Sequence, residues 1–174
     1  MRHIITVIVE NKFGVLARVS GLFSSRGYNI DSLTVGETND PEVSRMTIVV
    51  KGDDSILDQV MKQLDKLVDV IEVSDLPREQ SVRRELCLIK VKCDNVTRTE
   101  ILEIANVFRA KTVHIGHTSL IVQITGTEDK INGFIKLVEP FGILELARTG
   151  IAAMLRNNNH TPINESDEQE LEKK

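Results

Sequence analysis

His3-Ile-Ile-Thr-Val-Ile-Val-Glu10, then Asn11-Lys12-Phe13-Gly14, then Val15-Leu-Ala-Arg-Val-Ser-Gly-Leu-Phe-Ser-Ser-Arg26 is the stretch that decides the fold. The first eight residues are mostly β-branched and predict a strand. Asn11 to Gly14 has the composition of a turn. From there Val15, Leu16, Val19, Leu22 and Phe23 recur at the three- and four-residue steps of one helix face. Gly27 follows as a glycine C-cap would. Working outward, residues 28–35 predict a second strand, and Asn39-Asp40-Pro41 marks a loop. Residues 43–51 predict a third strand. A second helix follows, with Ile56, Leu57, Val60, Met61 and Leu64 on one face, and then a fourth strand over 68–74.

The pattern then restarts. Pro77 and the charged residues after it read as a linker over 77–83. Residues 85–93 predict a strand and 97–109 a helix. Residues 111–115 and 118–125 predict a hairpin around Gly116-His117. Residues 127–138 predict a helix and 141–148 a strand, with a short helix over 151–156. At an offset of 85, Leu16, Val19, Leu22 and Phe23 match Ile101, Ile104, Val107 and Phe108. At an offset of 74, Leu57, Val60, Met61 and Leu64 match Ile131, Phe134, Ile135 and Val138. The change in offset places a hairpin about eleven residues shorter in the second copy. Two tandem α+β domains of the ferredoxin-like βαββαβ order follow: residues 1–76 and 84–158. Residues 159–174 read as a disordered acidic tail.

Composition narrows the function. Aromatics make up 3% of the chain, with no Trp, so the cores are aliphatic. The net charge is −4, and the segment from Glu165 to Lys174 holds five acids against two lysines. The remainder is near neutral, which argues against a nucleic-acid binder. No apolar run approaches the roughly 20 residues of a membrane span. The N-terminus enters the strand pattern without a signal-peptide cleavage site, so a cytoplasmic location is expected. Cys87 and Cys93 lie six residues apart in one predicted strand, roughly 20 Å, beyond disulfide reach. Both are expected to be reduced core thiols.

No catalytic motif is present: no phosphate loop, nucleophile elbow, Cys-x-x-Cys or His-Glu-x-x-His. His114 and His117 flank a hairpin without a neighbouring carboxylate or thiol, and read as tip residues rather than metal ligands. The informative segment is the Asn11–Leu16 turn. The N–H groups of Gly14, Val15 and Leu16 and the helix dipole together favour a carboxylate. Asn11 adds an amide. The same composition also fits a plain turn. The copies differ here. At the 85 offset, Thr99 stands for Gly14 and His114 for Asn29. A glycine required by the fold alone is expected to recur.

The Asn11-x-x-Gly14-Val15-Leu16 turn between strand and helix resembles the ACT domain, a small-molecule-binding regulatory module. The 23-residue run from Phe13 to Val35, with Arg83-Arg84-Glu85-Leu86 opening the second domain, closely resembles the regulatory small subunits of acetolactate synthase (acetohydroxyacid synthase). The resemblance spans Met1 to about Asn158. It implies a non-catalytic chain that activates a large catalytic subunit and confers feedback inhibition by valine in branched-chain amino-acid biosynthesis. Thiamine diphosphate, FAD and a divalent metal such as Mg would sit in the large subunit, and this chain would hold no cofactor. The resemblance also implies a homodimer through the ACT domains, whose sheets join into one of eight strands. Asn11, Gly14, Val15 and Leu16 of one subunit would hold valine, closed by Asn29 and Ile30 of the other. Many ACT domains carry Asp and Pro where this chain has Asn11 and Phe13, so the ammonium contact at Asn11 would be a neutral hydrogen bond. The alternatives are a free-standing amino-acid-responsive regulator of another enzyme or of transcription, for which no basic reading helix is visible, and a ferredoxin-like enzyme.

Overall fold

The computed structural model describes residues 1–156. The tail read over 159–174 lies outside the described residues. Two compact units emerge: Met1–Val82 with the described residues from Ala153 onward, and Arg83–Ala152.

In the first unit, β1 (Arg2–Glu10) leads into α1 (Val15–Ser25), β2 (Ile30–Glu37), β3 (Val43–Lys51), α2 (Asp54–Leu64) and β4 (Val70–Asp75). The strands form an antiparallel sheet in the order β2-β3-β1-β4. Alternation along the strands sends Ile5, Val7, Val9, Met46, Ile48 and Val50 to one face. Val15, Val19 and Phe23 of α1 and Leu57, Val60 and Leu64 of α2 pack against them. This is the ferredoxin-like α+β arrangement.

The second unit repeats it with β5 (Ser81–Lys92), α3 (Thr97–Val107), β6 (Lys111–Ile115), β7 (Ser119–Gly126), α4 (Glu128–Val138) and β8 (Ile143–Arg148). Its order is β6-β7-β5-β8. Cys87, Ile89 and Val91 take the places of Ile5, Val7 and Val9. Both cysteines are buried free thiols, and burial pushes the Cys87 thiol up. The Phe108 and Phe134 rings meet edge to face, centroids 5.5 Å apart. Arg148 binds Glu85 through two hydrogen bonds of 2.7 and 2.6 Å, fixing β8 against β5.

The structure corrects three sequence readings. The stretch 151–156 is not helical: Ala152–Leu155 is a strand, β9, paired with β5, and Arg156 N–H donates to Gln80 C=O. Six residues are too few for periodicity to separate helix from strand. The linker is shorter than 77–83, because β5 begins at Ser81. Arg83 and Arg84 disguised that start as linker.

The third correction concerns the repeat. Equivalent core positions in β1 and β5, and in α1 and α3 (Val19 with Ile101, Phe23 with Ala105), differ by 82, not 85. A slip of three residues nearly preserves helical phase, so the apolar stripe alone could not expose it. The strands do, because every one-residue slip inverts their faces. The 74 offset for α2 and α4 stands: Leu57, Val60 and Leu64 correspond to Ile131, Phe134 and Val138. Ten residues separate the paired Val35 and Met46, and four separate Ile115 and Leu120, so the second hairpin is six residues shorter rather than eleven. The rest of the change falls between α3 and β6. Both units carry a register shift at the same place in the central strand, Ile8/Val9 and Lys90/Val91.

Among the described residues no helix is long and apolar enough to cross a membrane. Phe134→Ala should destabilise the second unit by about 3–5 kcal/mol, measured by denaturant unfolding, because the ring is fully buried. A pH effect follows from α2. Asp53 caps it, and the Ile56 N–H, with the Ser55 hydroxyl second, holds its carboxyl below the ordinary range. That contribution is present above about pH 4 and lost as pH falls through the lowered value. Asp53→Asn keeps a capping oxygen that does not titrate. Thermal midpoints of that variant should fall less than those of the native chain between about pH 4 and pH 2.

Candidate functional site

The first strand's last residues and the start of α1 form the turn. Gly14 occupies the N-cap with φ +83° and ψ −6°, in the left-handed region. Only glycine adopts that conformation at little cost. A Cβ added there would meet Arg18 Nη1 at 3.7 Å, an ordinary contact, so the torsion and not crowding selects glycine. Val15 is 3% exposed and its side chain belongs to the core, so only its backbone can serve a ligand. Its N–H makes a long bond of 3.4 Å to Lys12 C=O. Leu16 is exposed, and Phe13 lies wholly outside the core.

The second unit differs at the equivalent place, and the corresponding residue is Val96, not Thr99 as the 85 offset had it. Val96 has φ −86°. Asp94 turns its carboxylate onto the Val96 and Thr97 N–H groups at 2.9 and 2.8 Å. Those bonds, the Thr97 N–H foremost, hold the Asp94 carboxyl below its ordinary range. The start of α3 is thus occupied by the chain's own anion. Asp53 likewise caps α2 with a carboxylate, and the neutral Thr127 hydroxyl accepts the Lys130 N–H at the start of α4. The start of α1 has no side-chain cap and no acid in its first turn. His114 does not correspond to Asn29 either: it sits opposite Ile121, where the first unit has Thr34 opposite Thr47. It and His117 are exposed, and among the described residues no group of three or more His, Cys, Asp or Glu side chains could hold a metal ion.

Around the turn, Asn11 donates from Nδ2 to Pro41 C=O at 2.8 Å and to Glu37 Oε1 at 3.3 Å. Lys12 bonds Glu10 at 2.8 Å, which raises its pKa. Arg18, one turn into α1, pairs with Asp69 at 2.7 Å. Glu37, Arg18 and Asp69 were not singled out from the sequence. The only sequence signal was the four-residue step from Gly14 to Arg18, which puts Arg18 over the same helix face.

Asn29 and Ile30 are elsewhere in the same unit. Ile30 pairs with Val50, which pairs with His3, at the opposite end of β1 from Glu10 and the turn. Seven residues of strand separate the two groups, roughly 23 Å. One protomer therefore does not bring the six residues together. Asn29 donates from Nδ2 to Asp31 Oδ1 at 3.3 Å, and Ile30 packs partly on the core.

Comparisons with known proteins cover both units. Residues 84–157 match the family model described as the small subunit of acetolactate synthase, and residues 5–72 match the AHAS small subunit-like ACT domain. A probable acetolactate synthase small subunit of Archaeoglobus fulgidus is 56% identical over 158 residues, covering 91% of this chain and 99% of the relative. The acetolactate synthase small subunit of Mycolicibacterium smegmatis is 49% identical over 154 residues, covering 88% and 91%. The crystal structure of the acetolactate synthase small subunit from Thermotoga maritima superposes with a TM-score of 0.85 at 42% identity, covering 91% of this chain and 99% of that one.

The backbone account of Gly14 has its own test, made without ligand. Gly14→Ala should destabilise the chain by about 1–2 kcal/mol through the left-handed torsion. Gly21→Ala, mid-helix with nothing within 4 Å of the added carbon, should stabilise it by about 0.5–1 kcal/mol. Denaturant unfolding of the two variants reads both signs.

Proposed function

We propose that this chain, which belongs to the family of acetolactate synthase small subunits, regulates its catalytic large subunit by raising activity and by making it sensitive to valine. The partner large subunit supplies the active site, with thiamine diphosphate, FAD and a divalent metal. This chain contributes the regulatory site and works in the cytoplasm.

The observation that carries the valine reading is the position of β2. It is an edge strand, with β3 as its sheet neighbour. Its first residue, Ile30, lies beside Asn29, and its last, Glu37, lies beside Asn11. Antiparallel pairing of β2 with its two-fold copy, centred between Leu33 and Thr34, sets residue 30 of one protomer against residue 37 of the other. Two four-stranded sheets then become one of eight. The Asn11–Leu16 turn of each subunit meets Asn29 and Ile30 of its partner, twice per dimer. The start of α1, uncapped by the chain, suits the valine carboxylate. Exposed Leu16 offers apolar contact to the isopropyl group.

A site completed by two subunits links occupancy to association, because ligand stabilises the pairing that creates the site. If the large subunit engages one dimer geometry more strongly, valine shifts that population.

Reconstitution tests the reading. Mixing the chain with the large subunit should raise acetolactate formation, and valine should suppress the increase. No effect of either would refute it. Gly14→Asp tolerates the left-handed torsion better than most residues and sets a carboxylate against that of valine. It should retain activation and weaken valine inhibition at least about tenfold. Unchanged valine sensitivity in that variant would remove the turn from the site.

A further inference from the structure

Asp31 is an extra residue in β2. Ile30 pairs with Val50 and Ser32 with the adjacent Val49, so one residue lies between consecutive rungs of the ladder. Such a bulge re-aims its side chain. The Asp31 carboxylate is 12% exposed and its two oxygens are divided. Oδ2 lies 3.4 Å from Arg2 Nε and 3.2 Å from Lys51 Nζ, residues paired across β1 and β3. Oδ1 accepts the Asn29 Nδ2 hydrogen bond.

This partner decides which way the Asn29 amide faces. An amide carries one donor and one acceptor end, and an ionised carboxylate only accepts. Nδ2 must therefore point at Asp31, and Oδ1 points away from it. The same logic holds at Asn11. Its two partners, Pro41 C=O and Glu37 Oε1, are both acceptors, so its nitrogen is committed and its oxygen is presented. Two amide oxygens on the two sides of the site complement a group that only donates. The effector's α-ammonium is such a group, while the N–H groups at the start of α1 suit its carboxylate. Two neutral oxygens thus serve, each with an acid behind its amide: Glu37 at Asn11 and Asp31 at Asn29.

We propose that Asp31 is the positioning residue that makes the effector site selective for an amino group: clamped by Arg2 and Lys51, it holds the Asn29 amide with its oxygen toward the ligand. The proposal rests on the valine reading above and adds the source of its ammonium selectivity.

The test uses the full chain and two probes, L-valine and 3-methylbutanoate, which keeps the carbon skeleton and carboxylate but lacks the amino group. Calorimetry gives each affinity, and the ratio is the readout. The native chain should favour valine. Asp31→Ala should weaken valine about tenfold and leave 3-methylbutanoate unchanged, so the ratio falls. Asp31→Asn, which retains an acceptor oxygen for Asn29, should restore most of the ratio. If Asp31→Ala does not fold, Asp31→Val, whose β-branch suits a strand, is read in the same way. A purely structural role would weaken both probes together, and an unchanged ratio in the alanine or valine variant overturns the proposal. A native chain that binds valine but does not favour it over 3-methylbutanoate also overturns it, leaving the valine reading intact. A native chain that does not bind valine overturns that reading, and the proposal falls with it.

Discussion

Each unit depends on its first strand lying between two antiparallel neighbours. β1 pairs along its whole length with β3 on one side, and over Ile5 to Val9 with β4 on the other. Both helices then have one continuous apolar surface to cover. The centre position also fixes what happens at the strand's two ends. At one end the chain must turn directly into α1, and the left-handed Gly14 makes that turn. At the other end, across β3, Asn29 leads into Ile30 and the bulged Asp31 of β2. Sheet order therefore separates the two groups of candidate residues within one chain and leaves β2 at the sheet edge.

Much of this was legible in the sequence. The β-branched runs and the apolar steps of α1, α2 and α4 located the elements, and their order was enough for the ferredoxin-like fold. The repeat was legible too, but not its register. The stripe of α3 tolerates a three-residue slip, whereas the alternation of Cys87, Ile89 and Val91 against Ile5, Val7 and Val9 does not. Short or polar-looking segments misled for a related reason. Ser81 to Arg84 alternates burial, but its charged residues resemble a linker, and 151–156 is too brief for any period to emerge.

The candidate site was legible in its backbone part. A turn of Asn11-x-x-Gly14 opening a helix carries its geometry in its residue types. The side-chain part was not. Asp31, Arg2 and Lys51 at one end of the sheet, and Glu37 beside Asn11 at the other, are ordinary charged residues in sequence, and each group meets only because strands distant in sequence are adjacent in the sheet. The orientation of an amide is further hidden, since it depends on whether the partner atom is an acceptor. Copy comparison chose the wrong partner: the second unit lacks the glycine at Val96, not at Thr99, and it fills the helix start with Asp94.

That self-capped start of α3 has a consequence for how tandem modules diversify. The difference between a unit open to a small anion and one closed to it lies in a few residues of one turn: a glycine or a side chain at the cap, and an aspartate two positions before it or none. None of these residues belongs to either core. A duplicated module can therefore change what its helix start presents through substitutions at its rim, without repacking its core. Sensing and scaffolding roles can in this way be reassigned between two copies of one architecture.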